Sequence, residues 1–329
     1  MRRLWSAGVL VGALLLGACG DPGSPDGAPA PVPDAPRGSA AAGKEATGTE
    51  AGTEADAGVD GRQSVGPSAP ARRRAAAQPR TRTRTHAPKV LYLGDSLAME
   101  NQDALGGQLR DTLGARYRSA PYSGTTLCDY LEGTGKDSLV PDEDKAAALV
   151  RAERPDYVVL QFWGNAWGYT PCMDGITYDK QRARYFARYE ADARRLAAQI
   201  RSAGGDRTRL VWVLQGPDPI TPDRVRRVNG IYQSRAGDAG ALIADAGRAV
   251  SPASARYTWA EKLPCTAYET KNPAYCTDRA NSRTALHRGD DYLHFCLAPT
   301  TSKSRPCPVR SPGIRRMTAE ITRAVADAS

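Results

Sequence analysis

Histidine is scarce in this chain. Its 329 residues hold only His86, His287 and His294, so any imidazole that moves a proton is one of three. No two cysteines stand in the C-x-x-C spacing typical of a zinc site, so no metal is expected, and no cofactor is expected either. Between residue 20 and about residue 84 large apolar side chains are almost missing. That stretch cannot bury enough surface to fold and is expected to be a disordered tether. No run is long enough for a comfortable membrane span, which needs roughly 20 apolar residues. The longest, residues 4–18 (LWSAGVLVGALLLGA), follows a basic Met1-Arg2-Arg3. A basic start and a short apolar stretch read as an export signal.

The signal ends in Leu16-Gly17-Ala18-Cys19. This resembles the lipobox of bacterial lipoproteins, in which the cysteine is lipidated and becomes the first mature residue. The resemblance implies an acyl anchor at Cys19 and a protein held at the outer face of the cytoplasmic membrane, or secreted if the lipobox is not used. Division of the chain follows: residues 1–18 as signal, 19–87 as lipidated tether, 88–329 as the folded domain.

Removing Cys19 from the seven cysteines leaves an even six, Cys128, Cys172, Cys265, Cys276, Cys296 and Cys307. In an oxidising compartment these are expected to form three disulfides. Six cysteines allow fifteen connectivities and the sequence does not choose among them; the working expectation is Cys128–Cys172, Cys265–Cys276 and Cys296–Cys307.

A formal charge of +9 raises the question of nucleic acid. Arg2 and Arg3 sit in the signal, however, and six further arginines lie between residues 72 and 84, with no nucleic-acid-binding motif beside them. No nucleic-acid partner is expected. The basic end of the tether suits contact with anionic wall polymers or lipid headgroups, or a plain solvated spacer.

From residue 89 the pattern changes. Apolar runs at residues 90–93, 157–162 and 210–214 read as buried strands, with weaker candidates at 117–122 and 241–244. Helical spacing appears at 143–152, 179–203, 222–239 and 312–328. Alternating strands and helices point to a parallel sheet of about five strands covered on both faces, whose ligands sit beyond the carboxyl ends of the strands.

At the first such end stands Gly94-Asp95-Ser96-Leu97. A serine there has its hydroxyl near a helix start, where amide donors can stabilise an oxyanion, but it needs a base. His86 lies in the tether. His294 follows Asp291 by three residues, close enough for the carboxylate to orient the imidazole; His287, with Asp290 behind it, is the alternative.

A serine in GDS near the domain start and an Asp-x-x-His near its end resemble the SGNH (GDSL) hydrolases. That resemblance implies a three-layer α/β/α sandwich with flavodoxin-like strand order, and a catalytic triad of Ser96, Asp291 and His294. It also implies an oxyanion hole formed by Ser96, Gly124 in Tyr122-Ser123-Gly124-Thr125, and Asn165 in Trp163-Gly164-Asn165-Ala166. The family's usual Gly-x-Asn-Asp is altered, with Trp163 in the Gly position and Ala166 in the Asp position. The implied reaction is hydrolysis of a carboxylic ester, with acyl transfer to a sugar hydroxyl or binding without catalysis as alternatives.

Aromatics crowd the Asn165 loop. Trp163, Trp167 and Tyr169 are expected substrate contacts suited to a sugar, an aryl group or an acyl chain. The expected substrate is an ester, with a cell-envelope carbohydrate favoured, acted on by a monomer.

Overall fold

The computed structural model describes residues 86–329 except 135, 137, 167, 169 and 302. The expected signal, Cys19, nearly all of the expected tether, Trp167 and Tyr169 therefore lie outside the described residues.

Strand β1 (Lys89–Gly94) leads directly into helix α1 (Ser96–Leu113), followed by β2 (Arg116–Ser119), α2 (Ala146–Glu153) and β3 (Tyr157–Gln161). Next come α3 (Arg182–Gly204), β4 (Arg209–Val213), α4 (Pro222–Ala239), β5 (Leu242–Ala244) and the short α5 (Ala246–Ala249). A small hairpin of β6 (Lys262–Pro264) and β7 (Arg283–Ala285) encloses α6 (Ala267–Lys271), and α7 (Pro312–Ala328) closes the chain.

The first five strands form one parallel sheet in the order β2-β1-β3-β4-β5. This is the flavodoxin-like order that the resemblance implied, and its switch point falls between β1 and β3.

The side-chain period of a strand decides the layers. Leu91, Leu93, Val158, Leu160 and Trp212 face one core with Tyr185, Leu196 and Tyr232 of α3 and α4. Val90, Tyr92, Val159, Val211 and Val213 face the other, with Leu105 and Leu109 of α1 and Met317, Ile321 and Val325 of α7. Both faces are covered, so these strands read as continuous apolar runs.

The β2 expectation of 117–122 is corrected to 116–119. Residues of β2 alternate between exposed and half-buried, as an edge strand does, and Ala120 to Tyr122 continue as loop bonded to β1 by Ala120 N–H to Tyr92 O and Tyr122 N–H to Gly94 O. The hairpin of β6 and β7 was not expected. It pairs antiparallel and is fastened by Cys265–Cys276 and by Arg316 of α7, which donates to the buried Glu269 carboxylate.

All three disulfides have the expected partners, with Cα–Cα distances of 5.9, 5.7 and 5.5 Å for Cys128–Cys172, Cys265–Cys276 and Cys296–Cys307. Among the described residues no helix is long and apolar enough to cross a membrane.

Candidate active site

The turn from β1 into α1 sets the position of Ser96. A Cβ on Gly94 would meet the Gln161 carbonyl oxygen at 2.0 Å and Ala98 Cβ at 2.5 Å, so the strand can run this close to β3 only with glycine there. Asp95 caps α1 by accepting from Leu97 N–H at 3.0 Å, and its other oxygen accepts from Trp163 N–H at 2.7 Å. The same oxygen accepts from Asn165 Nδ2 at 3.2 Å. One wholly buried carboxylate therefore ties the end of β1 to the loop after β3. Burial raises its pKa to about 6, although the Trp163 and Leu97 N–H bonds pull the other way.

Ser96 is the first residue of α1, where an N–H has no acceptor within the helix. Its Oγ lies 3.0 Å from His294 Nε2, and His294 Nδ1 lies 3.0 Å from Asp291 Oδ2. Asp291 also accepts the backbone N–H groups of Leu293 at 3.1 Å and His294 at 3.0 Å, so it shapes the loop that carries the imidazole. Burial would raise the Asp291 pKa, but the His294 ring and these N–H bonds outweigh it and hold it at about 2. For His294, burial would favour the neutral ring. The Asp291 hydrogen bond and the negative charges of Glu100, Asp291 and Asp95 outweigh it and raise its pKa.

His287 stands elsewhere. It is buried, its Nδ1 donates to the His294 carbonyl at 3.0 Å, and its ring lies against Trp259 and Phe295. His86 lies 3.5 Å from Asp156, which precedes β3 and so stands at the amino ends of the strands, opposite the carboxyl end that carries Ser96.

Gly124 follows β2 with φ of +77°, a conformation glycine adopts without cost, and lines the same cavity as Ser96. Among the described residues neither the Ser96 nor the Gly124 N–H has a hydrogen-bond acceptor. Asn165 lines the cavity too, but its Nδ2 donates to Thr125 O at 3.0 Å as well as to Asp95. The altered Asp position at Ala166 thus leaves Asn165 oriented by Asp95.

Trp163 does not line this cavity. Its ring is buried, with the Arg224 guanidinium 3.5 Å above its centroid, and Arg224 is itself buried and paired with Asp218. Trp163 thus packs beneath Arg224 and is not among the residues that line this cavity. Trp167 and Tyr169 lie outside the described residues.

The cavity encloses about 340 Å³ beside Ser96. Its floor is Ser96, Gly124, Asn165 and His294, and its wall is the segment closed by Cys296–Cys307, including Pro299, Lys303, Arg305 and Pro306. Sequence reasoning missed Glu100, whose carboxylate accepts the Phe295 and Cys296 N–H groups at 3.0 Å each. Its place four residues after Ser96 on one helix was the available signal. Among the described residues no cluster of His, Cys, Asp or Glu could hold a metal ion.

No family model matches the chain, and no curated protein matches it. Among solved structures it is similar to a GDSL-like lipase from Bacteroides thetaiotaomicron (12% identity, TM-score 0.41, covering 74% of this chain and 90% of that one). It is also similar to an alpha/beta hydrolase from the metagenome of Lake Arreo (14%, TM-score 0.41, 74% and 96%). A third similarity is to an acetylxylan esterase from Geobacillus stearothermophilus (16%, TM-score 0.35, 49% and 77%). At such values the function rests on the geometry of the site.

Proposed function

We propose that the protein is a serine esterase of the SGNH (GDSL) type that hydrolyses carboxylic esters through an acyl-Ser96 intermediate. The observation that carries the reading is the relay of Asp291 to His294 to Ser96, with 3.0 Å at each step, opening onto a cavity floored by amide donors.

In this reaction His294 Nε2 takes the Ser96 proton as Oγ bonds to the ester carbonyl carbon, and the carbonyl electron pair moves onto oxygen. Ser96 and Gly124 N–H hold that oxyanion. Asn165 joins them by releasing or sharing its longer bond, the one to Asp95. Collapse of the intermediate breaks the bond to the alcohol, which leaves with the proton from His294. Water, deprotonated by His294, then attacks the acyl-enzyme and frees the acid and Ser96.

The substrate class we favour is an ester of a cell-envelope carbohydrate, such as an O-acetylated polysaccharide. Three disulfides support an oxidising compartment. The lipobox ending at Cys19 supports anchoring outside the cytoplasmic membrane. A monomer without cofactor suffices for this chemistry.

The test is labelling of the mature protein with a fluorophosphonate probe together with p-nitrophenyl acetate hydrolysis, comparing wild type with Ser96→Ala and His294→Ala. Labelling and turnover disappear in Ser96→Ala, and turnover collapses in His294→Ala. A folded wild type that neither labels nor turns over would sink the proposal and leave a binding protein on a hydrolase scaffold.

A further inference from the structure

We propose that Glu100 is a positioning residue for His294, fastening the loop that carries the base to the helix that carries the nucleophile, with His287 as the second fastening point. This rests on the esterase reading above.

Glu100 follows Ser96 by about one helical turn on α1, so the two side chains leave the same helix face. Glu100 is 6% exposed, and its carboxylate accepts one bond on each oxygen, from Phe295 N–H and from Cys296 N–H. The Glu100 backbone carbonyl accepts Cys307 N–H at 3.1 Å. One residue thus grips both ends of the disulfide-closed segment that walls the cavity. On the other side His287 donates from Nδ1 to His294 O at 3.0 Å. Burial lowers the His287 pKa and keeps this ring neutral, and its Nε2 has no partner among the described residues. Counting Asp291, which takes the Leu293 and His294 N–H groups, the backbone from residue 293 to 296 is held from three directions.

A loop could be fastened by a neutral acceptor at less cost. A carboxylate taken out of water is expensive unless a cation faces it. Among the described residues Glu100 has no arginine or lysine partner, and the cationic group that faces it is the imidazolium His294 becomes when it takes the Ser96 proton. Burial raises the Glu100 pKa to about 7, against the pull of His294 and the two N–H groups. Asp291, Asp95 and Tyr92 are the other titratable groups coupled to this pair, and Arg288, Lys303 and Arg305 stand along the cavity wall. Glu100 therefore does two things to His294: it fixes where the ring stands and favours its charged form.

The experiment uses the mature chain as wild type, Glu100→Gln, Glu100→Asp and His287→Phe. The readouts are kcat and KM for p-nitrophenyl acetate, the acidic limb of the kcat/KM profile, the His294 titration by NMR, and thermal unfolding. With three histidines the NMR titration is assignable and needs no activity. The expected result for Glu100→Gln is a kcat loss of about ten- to a hundred-fold with KM within about two-fold, as for a base displaced by a fraction of an ångström. Its acidic limb and its His294 midpoint both move to lower pH, and Glu100→Asp recovers the midpoint and part of kcat. His287→Phe, which keeps the stack and removes the donor, lowers kcat and leaves the midpoint within about 0.3 units of wild type, because no charge is lost. An unmoved His294 midpoint in Glu100→Gln, or a kcat loss that only follows unfolding in every variant, would overturn the proposal. If Glu100→Gln does not fold, an unchanged kcat in folded His287→Phe overturns it. A wild type that turns over no ester but whose His294 midpoint still moves in Glu100→Gln would fail the esterase reading and keep the coupling.

Discussion

At the scale of single residues, the proposed triad of Ser96, His294 and Asp291 is expected to act as a unit, so that each substitution removes most of what the unit contributes. Ser96→Ala and His294→Ala should each lower kcat by about 10⁴-fold or more. Asp291→Asn, which leaves the ring without its carboxylate, should cost about 10²- to 10⁴-fold. Steady-state kinetics on folded protein checks all three. The pH behaviour follows from the same groups. Attack needs neutral His294, whose pKa is raised, so kcat/KM should fall as pH drops through a value above the usual imidazole midpoint.

Stability runs in the opposite direction. Glu100 and Asp95 are raised to about 7 and about 6, so the folded protein holds protons that the unfolded chain has released. Their contribution is present in full below about pH 4 and is lost as pH rises to about 7. His294, also raised, adds in the same sense through its own folded midpoint. His287, whose pKa burial lowers, acts in the opposite sense up to the unfolded imidazole midpoint of about 6.5, so thermal midpoints should fall between about pH 6.5 and pH 8 while activity rises, and scanning calorimetry across that range would expose a contrary trend. Asp291, held at about 2, stays ionised throughout.

At the scale of elements, what could be read in the sequence was what is locally patterned. Strands β1, β3 and β4 are buried along nearly their whole length, so each shows as an apolar run, and α3 shows as Tyr185, Tyr189, Leu196 and Ile200 at helical spacing. Strands β6 and β7 have three residues each and mixed polarity, with nothing periodic to find; their hairpin depends on a disulfide and on Glu269 meeting Arg316, a pairing across 47 positions. The site divides the same way. Ser96, Asp291, His294, Gly124 and Asn165 sit in short recognisable motifs, whereas Glu100 meets its partners across 195 positions and Trp163 is buried by a guanidinium from α4. The four-residue spacing places Glu100 on the Ser96 face of α1, but no local pattern announces its distant partners or the guanidinium over Trp163.

The two short-range disulfides should differ in consequence. Each spans 11 positions, and loss of either should cost about 2–4 kcal/mol of stability. Only Cys296–Cys307 adjoins the base, so the double substitution to serine there should also lower kcat, while the Cys265 and Cys276 pair changed to serine should leave kcat within about two-fold. Equal kcat in the two double variants would show that the wall segment does not position His294.

At the scale of the whole molecule, the proposed anchor at Cys19 is open to a direct test. Replacing Cys19 with Ser should move the protein from the membrane fraction to the soluble fraction of cells producing it, as fractionation and immunoblotting would show; retention at the membrane would argue against lipidation there. The sheet adds a geometric point. Ser96, Gly124 and Asn165 all follow the carboxyl ends of strands. The first and last described residues lie near the amino ends of the strands: Lys89 N–H bonds Asp156 just before β3, and Ser329 Oγ lies 3.2 Å from the Tyr157 hydroxyl at the start of that strand. With the first and last described residues both on the side away from the cavity, a surface or fusion partner coupled through either one leaves the reaction face open. Immobilised enzyme should keep its turnover, and an immobilised layer would present its pockets outward to polymers too large to diffuse into a gel.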